Sequence, residues 1–192
     1  SSGAFSSPTL TINGEYWDAE AAEKAGFEHF MMKEIHEQPK AIQDTLNSVI
    51  KDGAIDFSGL ELTKEEILSF EQIYIVACGS AWHVGMAAQY VLEDMARIPV
   101  RVELASEFRY RPMALNQNAL VIVISQSGET ADSLAALRLA KKKGLKTLGI
   151  VNVVGSSIAR EADNVFYTLA GPEIAVATTK AYSTQLIAGY CL

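Results

Sequence analysis

The segment Ser125-Gln-Ser-Gly-Glu-Thr130 gathers three hydroxyls, a carboxamide and a glycine within six residues. Hydroxyls at that density can donate several hydrogen bonds to the oxygens of one anion, and a glycine lets the backbone approach it closely. A phosphate is the guest such chemistry suits. A shorter set, Cys78-Gly-Ser80, repeats the pairing of glycine and hydroxyl. The ordinary use of Ser or Thr ahead of a helix is to cap it, but one cap needs one hydroxyl. Glu129, in the same turn, would repel a phosphate unless it points away.

The flanking residues say where this turn must lie. Leu120-Val-Ile-Val-Ile124 is five consecutive apolar residues, four of them β-branched, the pattern of a strand buried on both faces. From Ala131 the pattern turns helical, with Leu134, Leu137 and Leu139 on one face and Lys141 to Lys143 closing the last turn before Gly144. Ser127 to Thr130 are therefore expected at a helix N-terminus, where unpaired N–H groups and the positive end of the macrodipole attract negative charge.

Along the whole chain the same alternation recurs. Strands are expected at 73–77, 100–104, 119–124, 147–151 and 165–169, separated by helices at 83–96, 105–110, 131–143 and 156–162 and followed by a last helix from 176 to the end. Five short apolar strands separated by helices predict a three-layer α/β/α fold with a five-stranded parallel sheet, flavodoxin-like, in the order 2-1-3-4-5. Ligands in such sheets bind at the carboxyl ends of the strands where the winding reverses, here between the first and third strands. That places Cys78 to His83 beside Ser125 to Thr130, so two helix N-termini would converge on one ligand.

Ahead of this domain, 72–192, the reading gives a linker or expression remnant at 1–17 and a helical lead-in at 18–71. The lead-in carries Phe27, Phe30, Met31, Ile35, Ile42, Leu46 and Val49 on one side from about residue 20 to 50, with a break or kink at Pro39. Thr63 and Glu66 form a capping box for a short helix over 63–70.

Composition narrows the functional classes. Of 192 residues 49% are apolar and 20% charged, enough for a sizeable core, and the net charge of −7 argues against nucleic acid as a partner. Any phosphate must then be held by local dipoles and hydroxyls. Cys78 and Cys191 sit in apolar contexts and read as reduced thiols. No apolar run approaches the length of a membrane helix, and no secretory signal is visible. The expected location is the cytoplasm. The glycines at 79 and 85 lack the spacing of a dinucleotide fingerprint, and no P-loop is present. His29, His36 and His83 have no partners at metal-ligand spacing, so neither metal nor cofactor is expected.

Five segments, in order, resemble one family: Ile75-Val-Ala-Cys-Gly-Ser80, Glu103-Leu-Ala-Ser-Glu-Phe108, Leu120 through Asp132, Val154-Gly-Ser-Ser-Ile158 and Gly171-Pro-Glu-Ile-Ala-Val-Ala-Thr-Thr-Lys-Ala-Tyr182. Together they are similar to the isomerase part of the glutamine:fructose-6-phosphate aminotransferase (glucosamine-6-phosphate synthase) family, at its first sugar isomerase (SIS) domain. The resemblance covers nearly everything after the first fifteen or so residues.

It implies a SIS fold and a reaction that makes glucosamine 6-phosphate and glutamate from fructose 6-phosphate and glutamine. By the same resemblance, Ser125, Gln126, Ser127 and Thr130 would hold the phosphate, while Ser80, Val176 (through its backbone) and Thr178 would meet the sugar. Many members carry Thr-Ser where this chain has Ser80-Ala81, so one hydroxyl is missing here.

The family's reactive histidine, glutamate and lysine belong to a second SIS domain, and its glutamine-hydrolysing domain begins with a cysteine, whereas this chain opens Ser1-Ser-Gly3. The expectation is a fragment that binds fructose 6-phosphate or glucose 6-phosphate without turning it over. Its expected partners are those two domains of the same chain, in a homodimer. Glu173 and Lys180 are ionisable neighbours, with a solvated or ion-paired role expected for Lys180 rather than catalysis. Two other uses of such a domain are a sugar-phosphate sensor joined to a DNA-binding helix-turn-helix and a stand-alone isomerase. The acidic lead-in shows no recognition-helix pattern.

Overall fold

The computed structural model describes residues 23–192 and, as backbone only, an antiparallel ribbon of β1 (Leu10–Ile12) and β2 (Glu15–Trp17) inside the stretch read as a linker. The rest of 1–22 lies outside the described residues. The lead-in consists of α1 (Phe30–Asn47), a hairpin of β3 (Ile50–Lys51) and β4 (Ala54–Ile55), and α2 (Lys64–Ser69). The body follows as β5 (Gln72–Ala77), α3 (Gly79–Met95), β6 (Val100–Leu104), α4 (Ala105–Tyr110), β7 (Ala119–Ser125), α5 (Ala131–Lys142), β8 (Lys146–Val151), α6 (Ser157–Glu161), β9 (Asn164–Tyr167) and α7 (Lys180–Cys191).

β5 to β9 form one sheet, entirely parallel, in the spatial order β6-β5-β7-β8-β9. Counted along the chain from β5, this is the expected order 2-1-3-4-5. Both faces are covered. Ile73, Ile75, Ile122, Ile124, Leu148 and Ile150 pack with α3, α7 and the end of α1 on one face. Tyr74, Val76, Val121, Val123 and Val151 pack with α4, α5 and α6 on the other. Apolar residues facing both ways explain why these strands read as unbroken apolar runs. No helix among the described residues is long and apolar enough to cross a membrane.

The lead-in departs from expectation in three ways. Its helix starts at Phe30, because Ala25 and Gly26 take left-handed φ values of 48° and 85° and interrupt any helix upstream. Pro39 lies inside α1 and does not end it. The carbonyl of Ile35, which loses its bond to residue 39, accepts instead from Gln38 Nε2 at 3.2 Å. Most telling, Met31 and Ile35, expected to face inward, are exposed, while Lys33, Glu34, Ala41 and Thr45 are buried.

The buried face of α1 is polar because it holds the chain after β9. Thr45 Oγ1 accepts the N–H of Leu169 at 3.0 Å. Glu34 accepts those of Ile174 at 2.5 Å and Ala175 at 3.1 Å. Ser183 of α7 donates to Gln38 Oε1 at 2.5 Å. The lead-in is thus packed onto the domain it precedes. At α2 the capping box is present as expected, with Glu66 N–H on Thr63 Oγ1 at 3.1 Å and Thr63 N–H on Glu66 Oε2 at 2.9 Å.

Candidate functional site

β5 and β7 are neighbours with Ala77 beside Ile124, so the residues that follow them, Cys78 and Ser125, leave the sheet side by side. α3 then runs along one face and α5 along the other. The crevice between is a cavity of about 260 Å³. Its walls include Ser125, Gln126, Ser127 and Thr130 from the turn after β7, Ser80 from the start of α3, and Thr178 from the segment before α7. Six of the seven expected contact residues therefore share one cavity. Val176 does not: it is fully exposed and outside the lining.

Hydrogen bonds inside the turn set its shape. Ser125 Oγ accepts the Gly128 N–H at 3.0 Å and lies 3.1 Å from Thr130 Oγ1. Ser127 Oγ accepts the Glu129 N–H at 3.2 Å. Thr130 occupies the N-cap position of α5 yet makes no side-chain cap bond, and Cys78, at the N-cap of α3, makes none either. Capping therefore does not account for these hydroxyls. Two helix N-termini meet the crevice with their first N–H groups uncapped by side chains, where the macrodipoles favour an anion. Gly79 begins α3 at φ +58°, a left-handed conformation that suits glycine at this bend.

The acidic residues of the turn are directed away. Glu129 Oε1 accepts the Ser157 N–H at 2.7 Å at the start of α6. That backbone bond holds the carboxyl below its ordinary value of 4.5. Asp132 pairs with Arg109 Nη1 at 2.7 Å, and the same bond raises the arginine further into its charged range. Among the described residues the cavity wall carries no charged side chain at all. An anion here would be bound by dipoles and hydroxyls, as the negative net charge of the chain requires.

Because Glu129 is depressed when folded, its contribution to stability is complete above about pH 4.5 and is lost as pH falls through the folded value. Urea unfolding followed from pH 6 to pH 3 is expected to show this loss in the natural chain. In Glu129→Gln, whose amide oxygen can still accept from Ser157, the acid limb should be shallower. An unchanged limb would remove Glu129 from the account.

The two ionisable neighbours have structural partners. Glu173 accepts from Thr178 Oγ1 at 2.9 Å and from the N–H of Thr179 at 2.7 Å, so it supplies the cap of α7. Thr178 donates to it, lies ahead of the N-cap position Thr179, and is not itself the cap. Lys180 is buried and bonded to Glu37 Oε2 at 2.7 Å, which is the ion-paired and not the solvated one of its two expected roles. α7 begins at Lys180, four residues later than expected, because residues 171–179 are spent on this Glu173 turn and on the contacts with Glu34.

Cys78, Ala81, Ser133 and Gln185 also line the cavity and were not singled out as contacts. Ser133 follows Thr130 by three residues, a spacing that puts both on one side of a helix, and this signal was available in sequence. Ala81 supplies a methyl to the wall. Gln185 had no local motif to mark it. A second cavity, about 390 Å³, lies at the amino end of the sheet, where Leu92, Ile98, Leu120 and Leu148 give it walls unsuited to phosphate.

Comparison with known proteins supports the same region. The SIS domain family model matches residues 66–192. The glutamine–fructose-6-phosphate aminotransferase [isomerizing] of Caldanaerobacter subterraneus subsp. tengcongensis is 61% identical over 177 residues, which are 92% of this chain and 29% of that protein. The enzyme of the same name from Clostridium tetani is 59% identical over the same shares. The solved C-terminal domain of glucosamine-fructose-6-phosphate aminotransferase from Francisella tularensis superposes with TM-score 0.85 at 44% identity, covering 88% of this chain and 48% of that one. The chain thus spans less than a third of the curated relatives it matches, and about half of the solved domain. With its parallel sheet in 2-1-3-4-5 order and a family match reaching from α2 to the last residue, the chain belongs to the SIS domain family.

Proposed function

We propose that this chain is the sugar-phosphate-binding half of the isomerase portion of an isomerizing glutamine–fructose-6-phosphate aminotransferase. In this reading Ser125, Gln126, Ser127 and Thr130 bind the phosphate of fructose 6-phosphate or glucose 6-phosphate, and Ser80 and Thr178 meet the sugar. The supporting observation is the convergence of two N-termini, uncapped by side chains, and six hydroxyls on an uncharged cavity at the switch point of the sheet. Val176 is assigned a backbone contact on the resemblance alone.

The proposed partners are a second SIS domain carrying the reactive groups and a glutamine-hydrolysing domain, in a homodimer; the 29% share of the relatives leaves room for further domains, and their kind and the dimer rest on the family resemblance. The proposed setting is the cytoplasm, consistent with the free thiols of Cys78 and Cys191.

Binding can be tested directly. Titration with fructose 6-phosphate at millimolar concentration is expected to shift the amide signals of Gly128 and its neighbours. In Ser127→Ala/Thr130→Ala the apparent Kd should rise at least tenfold, as expected on losing two hydroxyl donors to a charged ligand. Neither hydroxyl caps α5, so the fold should be retained. Spectra of the natural chain that do not change would refute the phosphate assignment.

A further inference from the structure

Gln185 is a polar residue of this cavity that the reading above leaves without work. It lies on α7, is 3% exposed, and lines the cavity. Its carboxamide makes no hydrogen bond among the described residues. Its neighbours behave otherwise: Ser183 donates to Gln38 Oε1 at 2.5 Å and Thr184 to the Ala181 carbonyl at 3.0 Å. An amide offers two N–H donors and an oxygen with two lone pairs, and this one is not among the sealed, unpaired polar atoms of the fold, so it opens onto the cavity that it lines. Its donors and acceptor are used by no other group among the described residues and are available to a molecule bound in the cavity.

The cavity's layout says which part of a ligand this would be. The phosphate turn and α5 approach from one face of the sheet, whereas α7 packs on the other face beside α3. Thr178, the other hydroxyl from the α7 side, already donates its proton to Glu173. Gln185 is therefore the group on α7 that lines the cavity with donors unused among the described residues. A neutral amide has no particular advantage with a phosphate dianion, but it matches a row of hydroxyls, each of which is donor and acceptor together.

Resting on the sugar-phosphate reading and extending it, we propose that Gln185 recognises the polyol chain of the bound hexose phosphate, hydrogen-bonding its hydroxyls from α7 while the turn after β7 holds the phosphate. A site that hydrogen-bonds a hydroxyl rejects an analogue lacking it, because the amide is then left unpaired. Gln185 would thus separate hexose phosphates from smaller phosphorylated or inorganic anions.

The test uses two ligands against three proteins. The natural chain, Gln185→Met, which keeps length without polarity, and Gln185→Asn, which keeps polarity without length, are each titrated with fructose 6-phosphate and with inorganic phosphate. Gln185→Met is expected to bind fructose 6-phosphate about tenfold more weakly and inorganic phosphate as the natural chain does. Its unfolding midpoint should change little, since no hydrogen bond within the fold is lost. Gln185→Asn gives the same comparison should the methionine not be accommodated. Equal weakening of both ligands, or of neither, overturns the assignment while leaving the phosphate turn intact. If the natural chain binds neither ligand, the sugar-phosphate reading itself falls, and this proposal with it.

Discussion

Gly128→Ala is expected to destabilise the chain by about 3 kcal/mol or more, combining a left-handed conformation at roughly 1–2 kcal/mol with overpacking at roughly 1–3 kcal/mol. The residue has φ +67°, and an added Cβ would lie 2.0 Å from Ser156 Oγ and 2.5 Å from Ser156 Cβ. The two contributions can be separated. Ser156 is at the N-cap of α6 without making a cap bond, and its hydroxyl is buried with no partner. Ser156→Gly should therefore cost little alone and should recover the steric part in the double variant, leaving the backbone part behind. Urea unfolding of the four proteins completes the cycle. The Gly128 N–H fixes Ser125 Oγ, and the Gly128 carbonyl accepts the Ile158 N–H at 3.0 Å, so Gly128→Ala should also abolish the response to sugar phosphate. A variant as stable as the natural chain would mean that the turn does not have this shape.

That turn was legible in sequence because it follows a strand whose type and direction are fixed by burial. The runs beginning at Ile73 and Ala119 are apolar on both faces, the one at Val100 alternates with Arg101 and Glu103, and each became a strand within a residue or so of the expected limits. Once they alternate with helices, few topologies remain, and the crevice between β5 and β7 follows. What sequence could not give was the direction of side chains whose partners are remote in the chain. Glu129 looked hostile to phosphate until Ser157, 28 residues on, proved to be its partner. The polar inner face of α1 was unreadable for the same reason, since Glu34 and Thr45 serve N–H groups more than 120 residues away. Apolar periodicity assumes that helices bury their greasiest side, and α1 buries its hydrogen-bonding side.

The hairpin of β3 and β4 is a different kind of omission. Asp52 and Gly53 have φ 52° and 78°, the pair of positive angles that a two-residue hairpin turn requires, and Asp-Gly is a strong local signal for it. It lies between the helices expected over 20–50 and 63–70, where only a helical lead-in was expected.

Glu37→Ala is expected to cost about 3 kcal/mol or more, the range for stranding a buried charge, and to cost clearly more than Lys180→Met. Glu37 stands between two lysines: Lys180 Nζ is 2.7 Å from its Oε2 and Lys33 Nζ 3.5 Å from its Oε1. The lysine side chains are only 4% and 7% exposed, while that of Glu37 is 34% exposed. Removing the carboxylate leaves the Lys180 ammonium buried without that partner. Removing Lys180 instead leaves a carboxylate that retains Lys33 and reaches water, so about 1–2 kcal/mol is expected, nearer the cost of a partly exposed pair. Unfolding free energies for Glu37→Ala, Glu37→Gln and Lys180→Met decide the matter, with Glu37→Gln intermediate because its amide oxygen still accepts a hydrogen bond. Equal losses on the two sides of the pair would contradict the asymmetry of burial. The consequence reaches the cavity, because Lys180 begins the helix that carries Gln185 and follows Thr178 by two residues. Glu37→Ala should therefore weaken fructose 6-phosphate binding from a helix that never touches the ligand, whereas substitutions at exposed Met31 on the same helix should leave both stability and binding as they are.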